Sequence, residues 1–127
     1  MDLNNPVMQH CLAGIRAEFE DRLDAARAAY RQAWKLAQDD YDACVAAHYV
    51  ARLQSDPAVT LHWNQVALAH AEVAGDDRVC SFYPSLYLNL GQSYETLGHQ
   101  AEAAKYYALA AELGFKHQAE SIVEQEE

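Results

Sequence analysis

Residues 87–110 restrict the fold of this chain more than any other segment. Small and apolar residues recur here at i, i+3, i+4 and i+7, a spacing that places them on one face of an α-helix. They are Tyr87, Leu90, Gly91 and Tyr94, followed on a second helix by Ala103, Tyr107 and Ala110. Gly98 lies between the two sets, and glycine readily takes the left-handed conformation that ends a helix. The spacing predicts a helical hairpin over about residues 84–113, with Tyr107 packed against Gly91.

This pattern resembles the tetratricopeptide repeat, whose signature is W-x2-L-G-x2-Y followed by a small, an aromatic and a small residue on a second helix. Tyr87 stands where the signature has tryptophan, and the other positions match. The resemblance implies an all-α, right-handed superhelix of stacked helical hairpins, which presents a concave surface to protein partners. It therefore implies a non-catalytic interaction module.

Weaker copies of the pattern lie upstream. The second-helix residues recur as Ala26, Tyr30 and Ala33 and again as Val59, Trp63 and Val66. Tyr30 and Trp63 are 63 − 30 = 33 residues apart, close to the usual period of ~34. The step from Trp63 to Tyr107 is 107 − 63 = 44 residues, so about ten residues are inserted near Gly75. In the first copy Gly14 precedes Ala26 by twelve residues, as Gly91 precedes Ala103, and Glu20-Asp21 replaces the Leu-Gly turn.

We therefore predict one all-α domain over residues 1–127, built from three hairpins at about residues 6–38, 41–75 and 84–114. Proline lies near predicted helix starts in Asn5-Pro6, Asp56-Pro57 and Tyr83-Pro84, where its missing N–H is tolerated. Asp39 and Asp40 offer a cap for the remaining start. Beyond Gly114, four apolar residues follow at i, i+4, i+7 and i+8: Phe115, Ala119, Ile122 and Val123. They predict a short capping helix over about residues 116–124 that covers the end of the array.

Charge and composition exclude several classes of function. A net charge of −10 disfavours nucleic acid as a partner. The sequence has no apolar run of the ~18 residues that a membrane span needs. Its N-terminus lacks the basic and then apolar layout of a signal peptide. The cysteines are Cys11, Cys44 and Cys80, an odd number at unremarkable spacing, which indicates reduced thiols. We expect a cytoplasmic protein that contacts no membrane.

The resemblance implies that the first helix of each hairpin lines a concave groove, where partners such as extended peptides bind. By register the groove carries Cys11 and Ile15 from the first hairpin, Cys44, His48 and Arg52 from the second, and Leu88, Asn89, Gln92 and Glu95 from the third. Met8 and Phe19 extend this set. Some relatives bind acidic chaperone tails with lysines and asparagines at these positions, of which only Asn89 is present. The acidic composition favours a neutral or basic partner segment instead.

His48 and Arg52 are the predicted hydrogen-bond donors of the groove, and they would bind a carboxylate of the partner. An alternative stays open for each residue. Arg52 can pair with a carboxylate of its own chain, such as Asp56, and His48 can be an ordinary polar residue on a helix.

Two other functions stay open at this point. A short array with two open ends can self-associate as a homodimer, with Phe115 or Ile122 in the contact. A thiol- or metal-dependent enzyme would use Cys11, Cys44 and His48, because Cys11 and Cys44 are 33 residues apart and Cys44 and His48 are spaced i, i+4. No CxxC or HExxH motif accompanies them. We therefore expect no catalytic residues, no metal and no cofactor.

Overall fold

The computed structural model describes the backbone of residues 3–126 and the side chains of residues 3–114. Within residues 3–126 the chain forms seven helices and no strand: α1 (Pro6–Phe19), α2 (Leu23–Leu36), α3 (Asp40–Arg52), α4 (Pro57–Ala74), α5 (Asp77–Cys80), α6 (Tyr83–Thr96) and α7 (Gln100–Glu126). Helices pack as neighbouring pairs, α1 with α2, α3 with α4, and α6 with α7. Contacts of α2 with α3 and of α4 with α6 join the pairs. The predicted all-α, repeat-like fold is confirmed.

Short polar side chains begin three of the long helices. Asn5 accepts a hydrogen bond from the backbone N–H of Val7 at 2.9 Å, and Asp56 accepts one from Ala58 at 2.9 Å. Each is followed by a proline in the first turn, as predicted. Asp39 caps α3 through the N–H of Asp42 at 2.8 Å. These caps satisfy N–H groups that have no partner inside the helix.

The contact predicted between Gly91 and Tyr107 is present, and Gly14 and Tyr30 form the same contact in the first hairpin. A Cβ atom added to Gly14 would lie 2.2 Å from Cε1 of Tyr30, and one added to Gly91 would lie 2.7 Å from Cδ1 of Tyr107. The tyrosine follows the glycine by 16 residues in both cases, 30 − 14 and 107 − 91. In the second hairpin the fully buried Ala47 takes the place of the glycine. The register inferred from the sequence therefore describes how the hairpins close.

The turns of the first and third hairpins have the same geometry although their sequences differ. Asp21 and Gly98 both have positive φ, 59° and 82°. The N–H of Arg22 reaches the carbonyl of Ala17 at 2.8 Å, and the N–H of His99 reaches that of Tyr94 at 2.8 Å. This is the hydrogen bond of a Schellman motif. Asp21 thus adopts a conformation in which glycine is normally preferred.

The core lies between successive hairpins and contains many small residues. Fully buried alanines occur on α2, α3 and α4, where they let the helices approach closely. Larger rings fill the remaining space, and Trp34 meets Trp63 edge to face with ring centroids 5.0 Å apart. Tyr30, the largest fully buried side chain among the described residues, stacks on Tyr49 at 5.2 Å.

The structure differs from the prediction beyond the third hairpin. The helix α7 continues through Gly114 to Glu126, so residues 116–124 are part of α7 and do not form a separate helix. Gly114 is not among the glycines with positive φ, and it does not end the helix. The side chains of Phe115, Ala119, Ile122 and Val123 lie outside the described residues. Their role in covering the end of the array stays a prediction.

Candidate functional site

An open cleft of about 640 Å³ lies between α3, the beginning of α4 and α6. It is lined by His48, Ala51, Arg52, Gln54, Ser55, Pro57, Thr60, Asn64, Ser85, Leu88, Asn89, Gln92, Ser93 and Thr96. Five of the predicted groove residues meet here: His48, Arg52, Leu88, Asn89 and Gln92. The first helices of the second and third hairpins thus face one another across a shared space.

The polar residues of the α3–α4 connection and of α4 were not predicted to belong to this site. Gln54 and Ser55 lie between α3 and α4, and Thr60 and Asn64 lie on α4. The repeat register considered only the first helix of each hairpin, so it could not include them. The run of polar residues around Pro57 was the sequence feature that could have indicated their place in the cleft.

The cleft is polar but carries little charge. No acidic side chain lines it within the part of the chain whose side chains are described. At its base the Asn64 amide donates to the Ser93 hydroxyl at 2.9 Å, and both residues are buried. Leu88, which is 44% exposed, supplies an apolar wall. Amide and hydroxyl groups both donate and accept, so the lining can pair with the N–H and C=O groups of an extended peptide.

His48 is a partly buried residue of this cleft. Its Nδ1 lies 3.4 Å from the amide nitrogen of Asn89, and its ring packs edge to face on Tyr49 with centroids 5.1 Å apart. Burial, and then the nearby Arg52 guanidinium, lower the pKa of His48 from its ordinary value. The lowered pKa favours the neutral imidazole at this position and agrees with the alternative of an ordinary polar residue. A neutral imidazole still donates from one nitrogen and accepts at the other.

Arg52 pairs with a carboxylate of its own chain, as the alternative interpretation allowed, but the partner is Glu18 and not Asp56. Arg52 Nη2 lies 3.2 Å from Glu18 Oε1, and the same carboxylate accepts a hydrogen bond from the Tyr30 hydroxyl. The Glu18 hydrogen bond raises the pKa of Arg52. Arg52 keeps 51% of its side-chain surface exposed, so its other N–H groups are available to a ligand.

A second, smaller cleft of about 370 Å³ adjoins the first at Arg52. It is lined by Ile15, Glu18, Phe19, Tyr49 and Arg52, which places the predicted groove residue Ile15 beside the main cleft. Phe19 is 88% exposed, the most exposed large apolar side chain among the described residues. The concave side therefore has an apolar region next to its polar one.

Glu95 does not line either cleft, although the register placed it in the groove. It accepts a hydrogen bond from the hydroxyl of Tyr107 at 2.5 Å. Glu18 and Tyr30 are related in the same way, since both pairs are twelve residues apart. These two glutamates therefore tie the first helix of a hairpin to its second helix.

Cys11 and Cys44 are fully buried, and their predicted position in the open groove is wrong. They belong to two different clusters of the core, and Phe82 from the inserted segment packs against both. Burial raises the pKa of Cys11 to about 12, with a contribution from Asp42, and that of Cys44 to about 11. Both thiols are neutral at physiological pH, which disfavours thiolate chemistry. Among the residues with described side chains, no group of three or more His, Cys, Asp or Glu is arranged to hold a metal ion.

Comparison with known proteins bears on the third hairpin. A tetratricopeptide repeat family model matches residues 84–116, which span α6 and the first part of α7. This match and the stacked helical hairpins fit a TPR-like protein. Searches of curated proteins and of solved structures found no significant match. A TPR-like fold indicates a protein–protein interaction module. In the described part of the chain, no helix is both long and apolar enough to cross a bilayer.

Proposed function

We propose that this TPR-like protein is a non-catalytic binding module that holds an extended segment of a partner protein in the cleft between α3 and α6. The observation that carries the proposal is the meeting of His48, Arg52, Leu88, Asn89 and Gln92 around one open cleft. These residues were expected in the groove from the repeat register alone, and the cleft has room for several peptide groups.

The partner segment is neutral or basic. The chain has a net charge of −10, so its field repels acidic segments. His48 is neutral and Arg52 is paired with Glu18, so the cleft itself offers little net positive charge to offset that repulsion. Amide side chains such as Asn89 pair with the peptide backbone, and Leu88 contacts an apolar side chain of the ligand. Nucleic acid and membrane surfaces are poor partners for the same electrostatic reason.

Selection from a random peptide display library, followed by fluorescence anisotropy with the selected peptide, tests this proposal. Leu88→Glu and Asn89→Ala are expected to weaken binding at least tenfold, since each removes or opposes a contact in the cleft. The matched control is Val73→Glu, because Val73 is an exposed apolar residue on α4 that does not line the cleft. Equal affinity for wild type and both cleft variants would place the site on another surface.

Self-association is the second candidate, and the exposure of Phe19 favours it. Phe19 is 88% exposed at the end of α1, in the first hairpin of the array. Burying such a ring against a second copy would contribute to a homodimer. Sedimentation velocity over a hundredfold range of concentration tests this idea, with Phe19→Glu as the disrupting variant. A constant monomer mass would refute it.

The environment of the thiols agrees with the cytoplasmic location that we propose. Cys11, Cys44 and Cys80 are all free cysteines in the structure. Free thiols are typical of reducing compartments.

A further inference from the structure

One repeat position differs in exposure between the hairpins. Cys11, Cys44 and Leu88 each lie three residues before the close-contact position occupied by Gly14, Ala47 and Gly91. Leu88 is 44% exposed, whereas both cysteines are 0% exposed. Equivalent positions on the first helices face the same side of the array. This one position is therefore covered in the first two hairpins and open in the third.

The inserted segment, residues 76–82, packs against the core clusters that contain Cys11 and Cys44. Val79 is 1% exposed and belongs to the cluster that contains Cys44. Phe82 packs against the clusters of both cysteines and meets the ring of Tyr41 with centroids 6.2 Å apart. The Arg78 guanidinium lies 4.3 Å from the centroid of the Tyr41 ring, a cation–π contact. Phe82 and Arg78 thus hold the segment on Tyr41 of α3, and Val79 anchors it in a cluster formed by α3, α4 and α6.

Few contacts hold the segment compared with the hairpins around it. Its helix α5 has four residues, and Val79 is the one fully buried residue of the segment. Arg78 forms its ion pair with Asp76, within the same segment, at 2.8 Å. Gly75, which has a left-handed φ of 57°, precedes it and ends α4. Regions with few buried apolar contacts open at lower free energy than the surrounding core.

We propose that residues 76–82 are a displaceable plug, which fills the half of the concave groove over Cys11 and Cys44 and confines the partner segment to the open cleft between α3 and α6. Release of the plug would extend the groove along α3 toward Tyr41. A partner that displaces the plug needs the same kinds of side chain: one cationic group to lie over the Tyr41 ring, and two apolar side chains beside it. The binding role rests on the proposed function, whereas the covering of the cysteines does not.

The test is the reaction of the full-length protein with iodoacetamide at increasing, sub-denaturing urea, with each cysteine followed by mass spectrometry. A Cys80→Ser background removes the exposed thiol. Because opening of the plug exposes little surface, labelling of Cys44 is expected to be almost independent of urea below the unfolding transition. Phe82→Ala is expected to raise the Cys44 labelling rate at least tenfold while amide exchange in α1 and α2 stays unchanged.

Val50→Ala provides the matched control. Val50 is buried in a third cluster, which contains neither Val79 nor Phe82. This variant is expected to raise the Cys44 labelling rate only through global unfolding. The added labelling should therefore depend on urea as steeply as global unfolding does. An unchanged Cys44 rate in Phe82→Ala would overturn the proposal. If Phe82→Ala fails to fold, the test uses the protein without that substitution. A Cys44 labelling rate that follows the urea dependence of global unfolding at every urea concentration would then overturn the proposal. If Cys44 labelling shows local opening but the protein binds no peptide, the proposed function is refuted and the displaceable plug is not.

Discussion

Gly14→Ala tests the packing of the first hairpin, because the structure allows two opposing effects on stability to be compared: helix propensity and a steric clash with Tyr30. Alanine is favoured over glycine inside a helix by about 1 kcal/mol. However, the new Cβ would lie 2.2 Å from Cε1 of Tyr30, far inside the normal contact distance of about 3.5–4.0 Å. The ring must therefore move by more than 1 Å, or the helices must separate.

Tyr30 has little freedom to move. It is 1% exposed, its hydroxyl donates to Glu18, and its ring stacks on Tyr49. Overpacking of a tight core costs about 1–3 kcal/mol or more, and losing the contacts of a large aromatic side chain costs about 3–5 kcal/mol. After the gain in helix propensity is subtracted, we expect Gly14→Ala to lower the free energy of unfolding by about 1–3 kcal/mol.

Two other glycines in helices supply the comparison. Gly91→Ala meets Tyr107 at 2.7 Å, but that ring is only half-buried and can shift, so a smaller loss is expected. Gly114→Ala has no neighbour within 4 Å of the new Cβ and should gain about 0.5–1 kcal/mol. Urea denaturation followed by far-ultraviolet circular dichroism measures all three variants. A Gly14→Ala protein as stable as wild type would refute the close contact with Tyr30.

Three further predictions concern single residues. Asp21→Gly should raise the free energy of unfolding by up to about 1 kcal/mol in thermal melts, because glycine accepts φ 59° without strain, whereas Asp21→Ala should not stabilise. The pKa of His48 is lowered in the folded state, so the unfolded state binds more protons, and the free energy of unfolding should fall as pH drops below about 6.5. His48→Gln should weaken that fall. The same pH profile for this variant and the wild type would contradict the role of His48. Cys11 and Cys44 have pKa values raised to about 12 and about 11, so stability should decline as pH rises above about 9, where the unfolded thiols ionise. Replacing both with alanine should flatten that alkaline decline in urea titrations at pH 8–10.

The closing of the hairpins could be predicted from the sequence because it depends on local spacing. Gly14 with Tyr30 and Gly91 with Tyr107 follow from the small and aromatic positions of the repeat. The turn at Asp21 could be located by counting, although its sequence is unusual for a left-handed residue. Such features are fixed within a few helical turns, where the periodicity of an α-helix applies.

The errors arise where distant segments meet. The spacing of Cys11 and Cys44 predicted a position in the open groove, but it could not show that both thiols are buried in core clusters against which Phe82 packs. The partner of Arg52 is Glu18, which is 34 residues away and lies on a different hairpin. The burial that keeps His48 neutral likewise depends on how two hairpins stack. Helix periodicity carries no information on these contacts.

A nuclear magnetic resonance titration of the ¹⁵N-labelled protein with a selected peptide tests whether the cleft between α3 and α6 binds a partner segment. If the peptide binds there, the largest chemical-shift changes occur at His48, Leu88, Asn89 and Gln92, with little change at Val73 on α4. Changes concentrated on α2, or on the face of α4 that carries Val73, would contradict it.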